Sequence, residues 1–460
     1  MFDLKKYKNI YMIGIGGISM SGIAHILKSW NFSVTGSNNE ENNMTDELSN
    51  AGIKVNIPHD YNNIDNEIDL VVYTAAIKED NPELIHAKEL NIPTMERGLF
   101  LGELTKLFKN TIGISGTHGK TTTTSMVSLC FLEAKLDPSI QVGSVLKNIN
   151  GNYRVGNSDY FIIEACEYCD SFLNFKEKSA IVLNIDNDHL DYFKTFDNIK
   201  KSFKKYVSHL PSDGVLVLNG DDKNCLELAL STKAKVLTYG LSEHNNYYAK
   251  NITFDDNGYA KYDLYFKNDF LEKIELSIPG KHNVLNSLAC IALCMFYNID
   301  IDSIKKGLKS YNGAARRFEY KGIFNGAKVY DDYGHHPTEV NAVSEAVHNK
   351  KYNKSWVIFE PHTYSRVKEH YKTFAKSLVN FDNIIITDIY AAREKNTDNI
   401  SPEMIINELK NLGKESIHIS SFDDILKYLK DRVEDNDIIL TLGAGYVTKL
   451  SNMLTKKEFN

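Results

Sequence analysis

Gly116-Thr117-His118-Gly119-Lys120-Thr121-Thr122 is the stretch whose residue types and spacing point to a definite chemistry. Glycines let the backbone curl until successive N–H groups face one concavity, and the positive end of a following helix faces the same way. Lys120 can place an ammonium on the outer phosphates of a nucleotide. Thr121 can offer a hydroxyl to Mg²⁺, a hard cation that takes oxygen ligands. The flanks fit this use. Thr111-Ile-Gly-Ile-Ser115 reads as a short buried strand, and Thr122–Glu133 carries apolar positions at helical spacing. Strand, glycine loop, Lys-Thr and helix form the context that a phosphate-binding P-loop requires. Ile114 stands where G-x-x-x-x-G-K-[ST] has its first glycine, so a plain glycine turn with an incidental lysine is the competing reading. His118 inside the loop points to a second anionic group besides the nucleotide.

Other candidate groups fall at predicted strand ends, which form the ligand crevice of an open α/β sheet. Tyr160–Glu164 is such a strand, and Ala180–Ile185 another, followed by Asp186-Asn-Asp188-His189. Glu164 and His189 are therefore expected beside the P-loop, as Mg²⁺ ligands or catalytic groups. No apolar run ends in an aspartate of Walker-B type near the loop, and Glu164 takes that place. Near the N-terminus, Gly14-x-Gly16-Gly17 follows the strand at 9–15, but Ser19 occupies the third glycine position of a dinucleotide fingerprint. Ser37-Asn38-Asn39 ends the next strand where a nicotinamide site wants an acid. This reads as a Rossmann-like phosphate turn. Further on, Arg316-Arg317 lies in a hinge, Asp331-Asp332 ends a strand before Tyr333-Gly-His335-His336-Pro337, and Glu360-Pro-His-Thr-Tyr-Ser-Arg366 follows another strand.

A chain of 460 residues is too long for one core. Its 42% hydrophobic and 25% charged residues are those of a globular protein in water. A net charge of −7 excludes a general attraction to nucleic acid or acidic membranes, so a phosphate site must be locally basic. The N-terminus lacks the apolar core of a signal peptide, and no stretch approaches a membrane span. A cytoplasmic protein is expected. The six cysteines are scattered and read as reduced thiols; Cys166-x-x-Cys169 has no second pair to complete a metal site.

The strand–helix alternation restarts twice, which predicts three α/β domains, each on a mainly parallel sheet. Residues 1–109 are Rossmann-like, residues 110–312 form a P-loop ATPase domain with a small antiparallel appendage at 246–278, and residues 313–460 are again Rossmann-like. A P-loop alone allows a kinase, ATPase, GTPase or ATP-driven ligase. Histidines, acids and arginines at distant strand ends fit closure of one domain over another around a water-sensitive intermediate, such as an acyl phosphate. Lys120, Arg317 and Mg²⁺ would then serve the phosphoryl step.

Gly14-Ile-Gly-Gly-Ile-Ser-Met-Ser-Gly22, Gly116–Thr122, Glu164-Ala-Cys-Glu-Tyr168, Asn184-Ile-Asp-Asn-Asp-His189, His282-Asn-Val-Leu-Asn286, Arg316-Arg-Phe318, Asp331-Asp-Tyr-Gly-His-His-Pro-Thr-Glu339 and Pro361-His-Thr-Tyr-Ser-Arg366 occur in the order found in the Mur ligases. The resemblance spans nearly the whole chain and is strongest to the branch that adds L-alanine to UDP-N-acetylmuramate, with ATP and Mg²⁺. It implies that Gly16, Gly17, Ser37, His59, Thr74, Ala75 and His118 contact the UDP substrate. Gly116, Thr117, His118, Gly119, Lys120, Thr121 and Thr122 would bind the ATP phosphates. His282 and Asn286 would meet adenine, and Arg317 and Asp332 the γ-phosphate and ribose. Thr121, Glu164 and His189 would hold the metal. Tyr333, His335 and Arg366 would shape the amino-acid site, and Lys120, Glu164, His189, Arg317 and His335 would carry the catalysis. The partners implied are small molecules rather than nucleic acid or membrane, and the chain would be a monomer or homodimer. Cys166, Cys169, Asn38 and Thr363 depart from the family's usual residues. Rival readings are the recycling ligase of the same family, which attaches a whole peptide, a nicotinamide dehydrogenase, and a non-catalytic binding module.

Overall fold

The computed structural model describes residues 3–455 except Ala75 and Arg393, and the backbone but not the side chain of Asp191. The chain packs as two units. The first comprises Met1–Lys250, Asp263–Lys273 and Leu285–Tyr311; the second comprises Asn251–Tyr262, Ile274–Val284 and Asn312–Asn460.

The first unit holds two sheets. Asn-Ile-Tyr-Met-Ile over Asn9–Ile13 is apolar on both faces and buried, as a central parallel strand covered by helices requires. It lies in the middle of a five-stranded parallel sheet, in the order Lys54–Asn56, Ser33–Ser37, Asn9–Ile13, Leu70–Tyr73, Thr94–Glu96. Seven strands of the second, ten-stranded sheet run Lys235–Gly240, Val215–Asn219, Ser179–Val182, Asn110–Ser115, Tyr160–Glu164, Ser139–Leu146, Gly151–Arg154. These seven are parallel except the last pair. The P-loop strand Asn110–Ser115 sits inside it, with Ile112 between Ser179 and Ile162. One apolar core joins the two sheets: Trp30 packs on Phe108 at 5.9 Å between ring centroids, and Phe108 on Phe161 at 4.8 Å.

The P-loop helix Lys120–Glu133 is backed by the helix Ile301–Ser310. A Cβ on Gly307 would lie 2.7 Å from the Cys130 Cα and N, so this close backbone approach needs glycine. The expected appendage at 246–278 is three strands, Tyr247–Phe254, Tyr259–Phe266 and Asp269–Pro279. Its residues are divided between the units, with Asn251–Tyr262 and Ile274–Val284 counted in the second.

The second unit is built on a six-stranded sheet in the order Glu319–Phe324, Ala327–Asp332, Ile438–Leu442, Ser355–Phe359, Asn383–Ile386, Ile417–His418. Only the edge strand Glu319–Phe324 runs antiparallel. Apolar clusters cover both faces, one around Val340, Phe359 and Phe374 and one around Trp356, Ile425 and Leu450.

Candidate active site

The glycine loop bends as its composition predicts. Gly116 has φ +130° and Gly119 φ +87°, conformations that glycine adopts without strain. Gly119 caps the P-loop helix, and a Cβ there would lie 2.7 Å from Asn286 Oδ1. Asn286, assigned to adenine by resemblance, thus faces the loop itself. The segment Asn184–Asp186 fixes the loop from the other side. His118 N donates to Asn184 Oδ1 at 2.8 Å, Asn184 Nδ2 returns a bond to His118 O at 3.0 Å, and Asp186 N donates to Thr117 Oγ1 at 2.9 Å. The His118 ring donates from Nε2 to Asp186 Oδ2 at 3.1 Å, so one of its nitrogens is engaged within the loop's own surroundings.

Lys120 is the first residue of the helix and is nearly buried. Its Nζ donates to Thr117 O at 3.1 Å, to Gly116 O, and to both oxygens of Glu167 at 2.8 and 3.1 Å. Burial pulls the ammonium down and is the largest single effect, but the charges of Glu167, Cys166 and Glu164 and the hydrogen bond to Glu167 together outweigh it and the net shift is upward, so Lys120 stays charged. Glu167 was not among the residues expected here. Its side chain is 2% exposed, and His189 Nε2 stands 3.8 Å from its Oε1. The available signal was position, since Glu167 lies in the short loop just past the strand that ends in Glu164. Strand pairing sets Glu164 opposite Ile114, and its Oε1 accepts from Gly143 N. His189 adopts φ +56° and packs its ring 4.8 Å from that of Tyr168. The Thr121 and Thr122 side chains are buried in the first helical turn. Cys166 is half-buried and Cys169 exposed.

The N-terminal turn is built alike but filled differently. Gly14 and Ile15 donate to Ser37 O at 2.8 and 2.9 Å. A Cβ on Gly16 would meet Thr45 Cγ2 at 2.8 Å, one on Gly14 would meet Thr74 Cγ2 at 2.7 Å, and Gly17 caps the helix Ile18–Ser29. Ala75 lies outside the described residues. The Ser37 hydroxyl is buried and donates to Glu83 Oε2. His59 Nδ1 lies 2.8 Å from Ser37 Oγ and donates to Glu83 Oε2 at 3.1 Å. Tyr11 OH and Asn63 Nδ2 donate to Glu83 Oε1 at 2.9 and 2.7 Å. Burial would raise the Glu83 carboxyl, but the bonds from His59, Ser37, Asn63 and Tyr11 outweigh it and hold it below the usual range. Glu83 is a second group that the strand-end logic missed, because it sits in the first turn of the helix Pro82–Glu89.

In the second unit, Asp332 ends its strand, and both carboxylate oxygens accept backbone N–H groups, from Phe318 and Gly334, at 2.7 Å each. Burial still raises its pKa to about 6, against the lowering effect of Arg317. The Arg317 guanidinium lies 5.5 Å above the Tyr333 ring and 3.7 Å from Glu339. His335 Nδ1 donates to Tyr333 O at 3.0 Å, its ring meets that of His362 at 5.0 Å, and Arg366 Nη1 donates to His362 Nδ1 at 2.8 Å. Tyr333, His335 and Arg366 are therefore brought together, with His362 as the link between them. His282 is exposed at the start of the helix Lys281–Phe296.

A parallel α/β sheet with a lysine fixed at a helix N-terminus by a glycine loop defines a nucleotide-phosphate-binding protein. Family models match three stretches: the Mur ligase family catalytic domain over residues 9–109, the Mur ligase middle domain over 114–294, and the Mur ligase glutamate ligase domain over 316–445. The chain belongs to the Mur ligase family. It is 45% identical to the UDP-N-acetylmuramate–L-alanine ligase of Acetivibrio thermocellus, over 100% of this chain and 98% of that one. To the enzyme of the same name from Clostridium botulinum strain Langeland it is 48% identical, over 98% and 99%. The crystal structure of the UDP-N-acetylmuramate–alanine ligase of Thermotoga maritima superposes with a TM-score of 0.83 at 28% identity, covering 97% of this chain and 98% of that one.

Proposed function

We propose that this chain is an ATP-dependent ligase that joins L-alanine to the lactyl carboxylate of UDP-N-acetylmuramate, a step in peptidoglycan precursor synthesis. Likeness over the full length to enzymes of that name carries the reading. The charged Lys120, held at the helix N-terminus by Glu167, supports the nucleotide half of it. The protein acts in the cytoplasm on small molecules, as a monomer or homodimer. Residues 1–109 take the UDP substrate, 110–312 take ATP, and 313–460 take the amino acid.

The chemistry runs in two balanced steps. A lactyl carboxylate oxygen attacks the γ-phosphorus of ATP and ADP leaves, giving an acyl phosphate. The amine of L-alanine then attacks the acyl carbon, phosphate leaves, and the amine gives up a proton. Lys120 and the loop amides of Gly116–Thr122 hold the phosphates as charge shifts between them. Arg317 offsets the charge on the transferred group, while His282, Asn286 and Asp332 position the nucleoside. Tyr333, His335 and Arg366 orient the amino acid. Gly16, Gly17, Ser37, His59, Thr74, Ala75 and His118 hold the UDP substrate, with Glu83 fixing Ser37 and His59.

The Thr121 hydroxyl and the Glu164 carboxylate fit Mg²⁺, because oxygen donors beside a phosphate loop match a hard cation, whereas His189 offers only a softer nitrogen beside them. When bound, Mg²⁺ would neutralise phosphate charge.

The test is phosphate release from ATP with Mg²⁺ and UDP-N-acetylmuramate, adding L-alanine, L-serine, glycine or tripeptide in turn. L-Alanine is expected to give the fastest release. Release with tripeptide alone would favour the recycling ligase, and no release with any acceptor would overturn the proposal.

A further inference from the structure

Three cysteines that look scattered in the sequence meet in the core of the first unit. Cys130 lies on the P-loop helix, about 15 Å along its axis from Lys120. Cys290 and Cys294 lie one turn apart on the helix Lys281–Phe296, and Cys290 follows Asn286 by one turn. Cys130 Sγ is 3.7 Å from Cys290 Sγ, which is 3.9 Å from Cys294 Sγ, and all three sulfurs fall within 4.8 Å of one another. All three are free thiols with 0% exposure.

A single buried thiol behaves as a small apolar side chain and needs no further account. Three converging sulfurs present a different geometry. Thiolates about 2.3 Å from a common centre stand roughly 3.4 to 4.0 Å apart, from pyramidal to planar arrangements. The two measured separations already fall in that range. The thiols are also unequal. Burial pushes thiols up, yet S–H donation from Cys290 and Cys294 outweighs it at Cys130, which is drawn below the ordinary range, while its two partners are raised.

Charge selects the class of centre. The three thiols are fully buried, Cys130 Sγ also donates to Ile304 O at 3.6 Å, and the one carboxylate that acts on Cys130 is that of Glu133. Three thiolates around a monovalent or divalent ion would leave net negative charge in this core, which is costly without a compensating cation. A trivalent centre leaves none. We propose that Cys130, Cys290 and Cys294 form a tris-thiolate site for trivalent thiophilic species of the arsenite type. As each Sγ–As bond forms, one As–OH bond breaks, and the thiol proton leaves with the hydroxide as water. Three waters are released, arsenic remains trivalent, and no oxidant is required. The product would staple the P-loop helix to the helix that carries Asn286, whatever reaction the loop serves. Because the thiols are sealed from solvent, uptake must wait for local opening and will be slow.

The probe is sodium arsenite added to the reduced full chain under anaerobic conditions. The half-buried Cys166 and the exposed Cys169 are removed by Cys166→Ala and Cys169→Ala in all samples. Native mass spectrometry is expected to show one arsenic per folded chain with loss of three protons, and arsenic X-ray absorption three sulfur neighbours. Cys290→Ala, or Cys294→Val where the first fails to fold by circular dichroism, should weaken uptake at least about tenfold by removing one arm of the chelate. No uptake by the folded chain over days, two sulfur neighbours in place of three, or uptake indifferent to both substitutions would overturn the proposal. So would stoichiometric capture of zinc or copper(I) in preference to arsenite.

Discussion

Two strand–glycine–helix turns open the two sheets of the first unit, and they are filled in opposite ways. At Gly16 the space is taken by the chain's own side chains: Thr45 and Asn38 crowd the backbone, and Asn42 Nδ2 donates to Gly16 O at 3.3 Å. The helix that follows starts at Ile18 with no cation in its first turn. At Gly116–Gly119 the helix starts at Lys120, whose ammonium is folded back onto loop carbonyls and Glu167. Each turn is tied to a buried carboxylate, but Glu83 takes uncharged hydroxyl and amide donors and a histidine, whereas Glu167 takes an ammonium. The backbone motif is shared and the charge is not. One turn offers directed hydrogen bonds, the other a positive charge.

The largest test of that contrast is Lys120→Ala. Turnover should fall about a thousandfold, while calorimetric affinity for the UDP substrate stays within about twofold. Because the substitution strands a buried carboxylate, at a cost of roughly 3–5 kcal/mol, Lys120→Ala with Glu167→Gln is the companion that separates catalysis from folding. Loss of UDP-substrate binding in both would show that the two turns do not divide the work.

Next comes Gly119→Ala. The added Cβ meets Asn286 Oδ1 at 2.7 Å in a backbone with φ +87°, and strain of about 1–3 kcal/mol should weaken ATP binding roughly ten- to a hundredfold. Equilibrium dialysis with ATP would read it, and unchanged affinity would mean that the loop is not the phosphate cradle. Glu83→Gln should act on the other side of the comparison. Losing a charged acceptor for His59 and Ser37, worth about 1.5–3 kcal/mol, should raise KM for the UDP substrate about tenfold and leave kcat alone. A fall in kcat at constant KM would contradict the positioning role.

Gly16→Ala should cost only a few-fold in KM. Its Cβ would meet the ends of the Thr45 and Asn38 side chains at 2.8 and 2.9 Å, and side-chain ends can move where loop backbone cannot. An effect as large as that of Gly119→Ala would erase the distinction. The smallest effect on activity is expected from Glu177→Gln. Glu177 is buried beneath the P-loop strand, accepts from Tyr206 OH at 2.8 Å, and is pushed by burial from 4.5 to about 8. Its folded pKa lies above its unfolded one, so its stabilising contribution is full below pH 4.5 and is lost as pH rises toward 8. Denaturant unfolding between those limits should show a falling stability that Glu177→Gln flattens.

Much of the first unit's candidate site could be read from local spacing. Gly116, Gly119 and Lys120 announce the loop because a phosphate cradle needs glycines and a lysine at that short fixed spacing. Glu164 and His189 could be anticipated because parallel strands carry ligand groups at one end. Tyr333, His335 and Arg366 were expected in one place, and His362 joins them. Glu167 and Glu83 escaped notice for a common reason: a carboxylate in a loop or a first helical turn is ordinary, and becomes special only when folding buries it. The cysteines escaped because their spacing along the chain carries no sign of convergence.

The sequence by itself determined the α/β class, the phosphate loop and the family, since these rest on periodicity and on residues adjacent along the chain. Tertiary structure alone decided which carboxylate answers Lys120, which one fixes Ser37 and His59, and that three thiols share one point. Those pairings depend on helix packing and burial, where strands and helices far apart in sequence bring charges and sulfurs within 4 Å and low-dielectric surroundings make each partner matter.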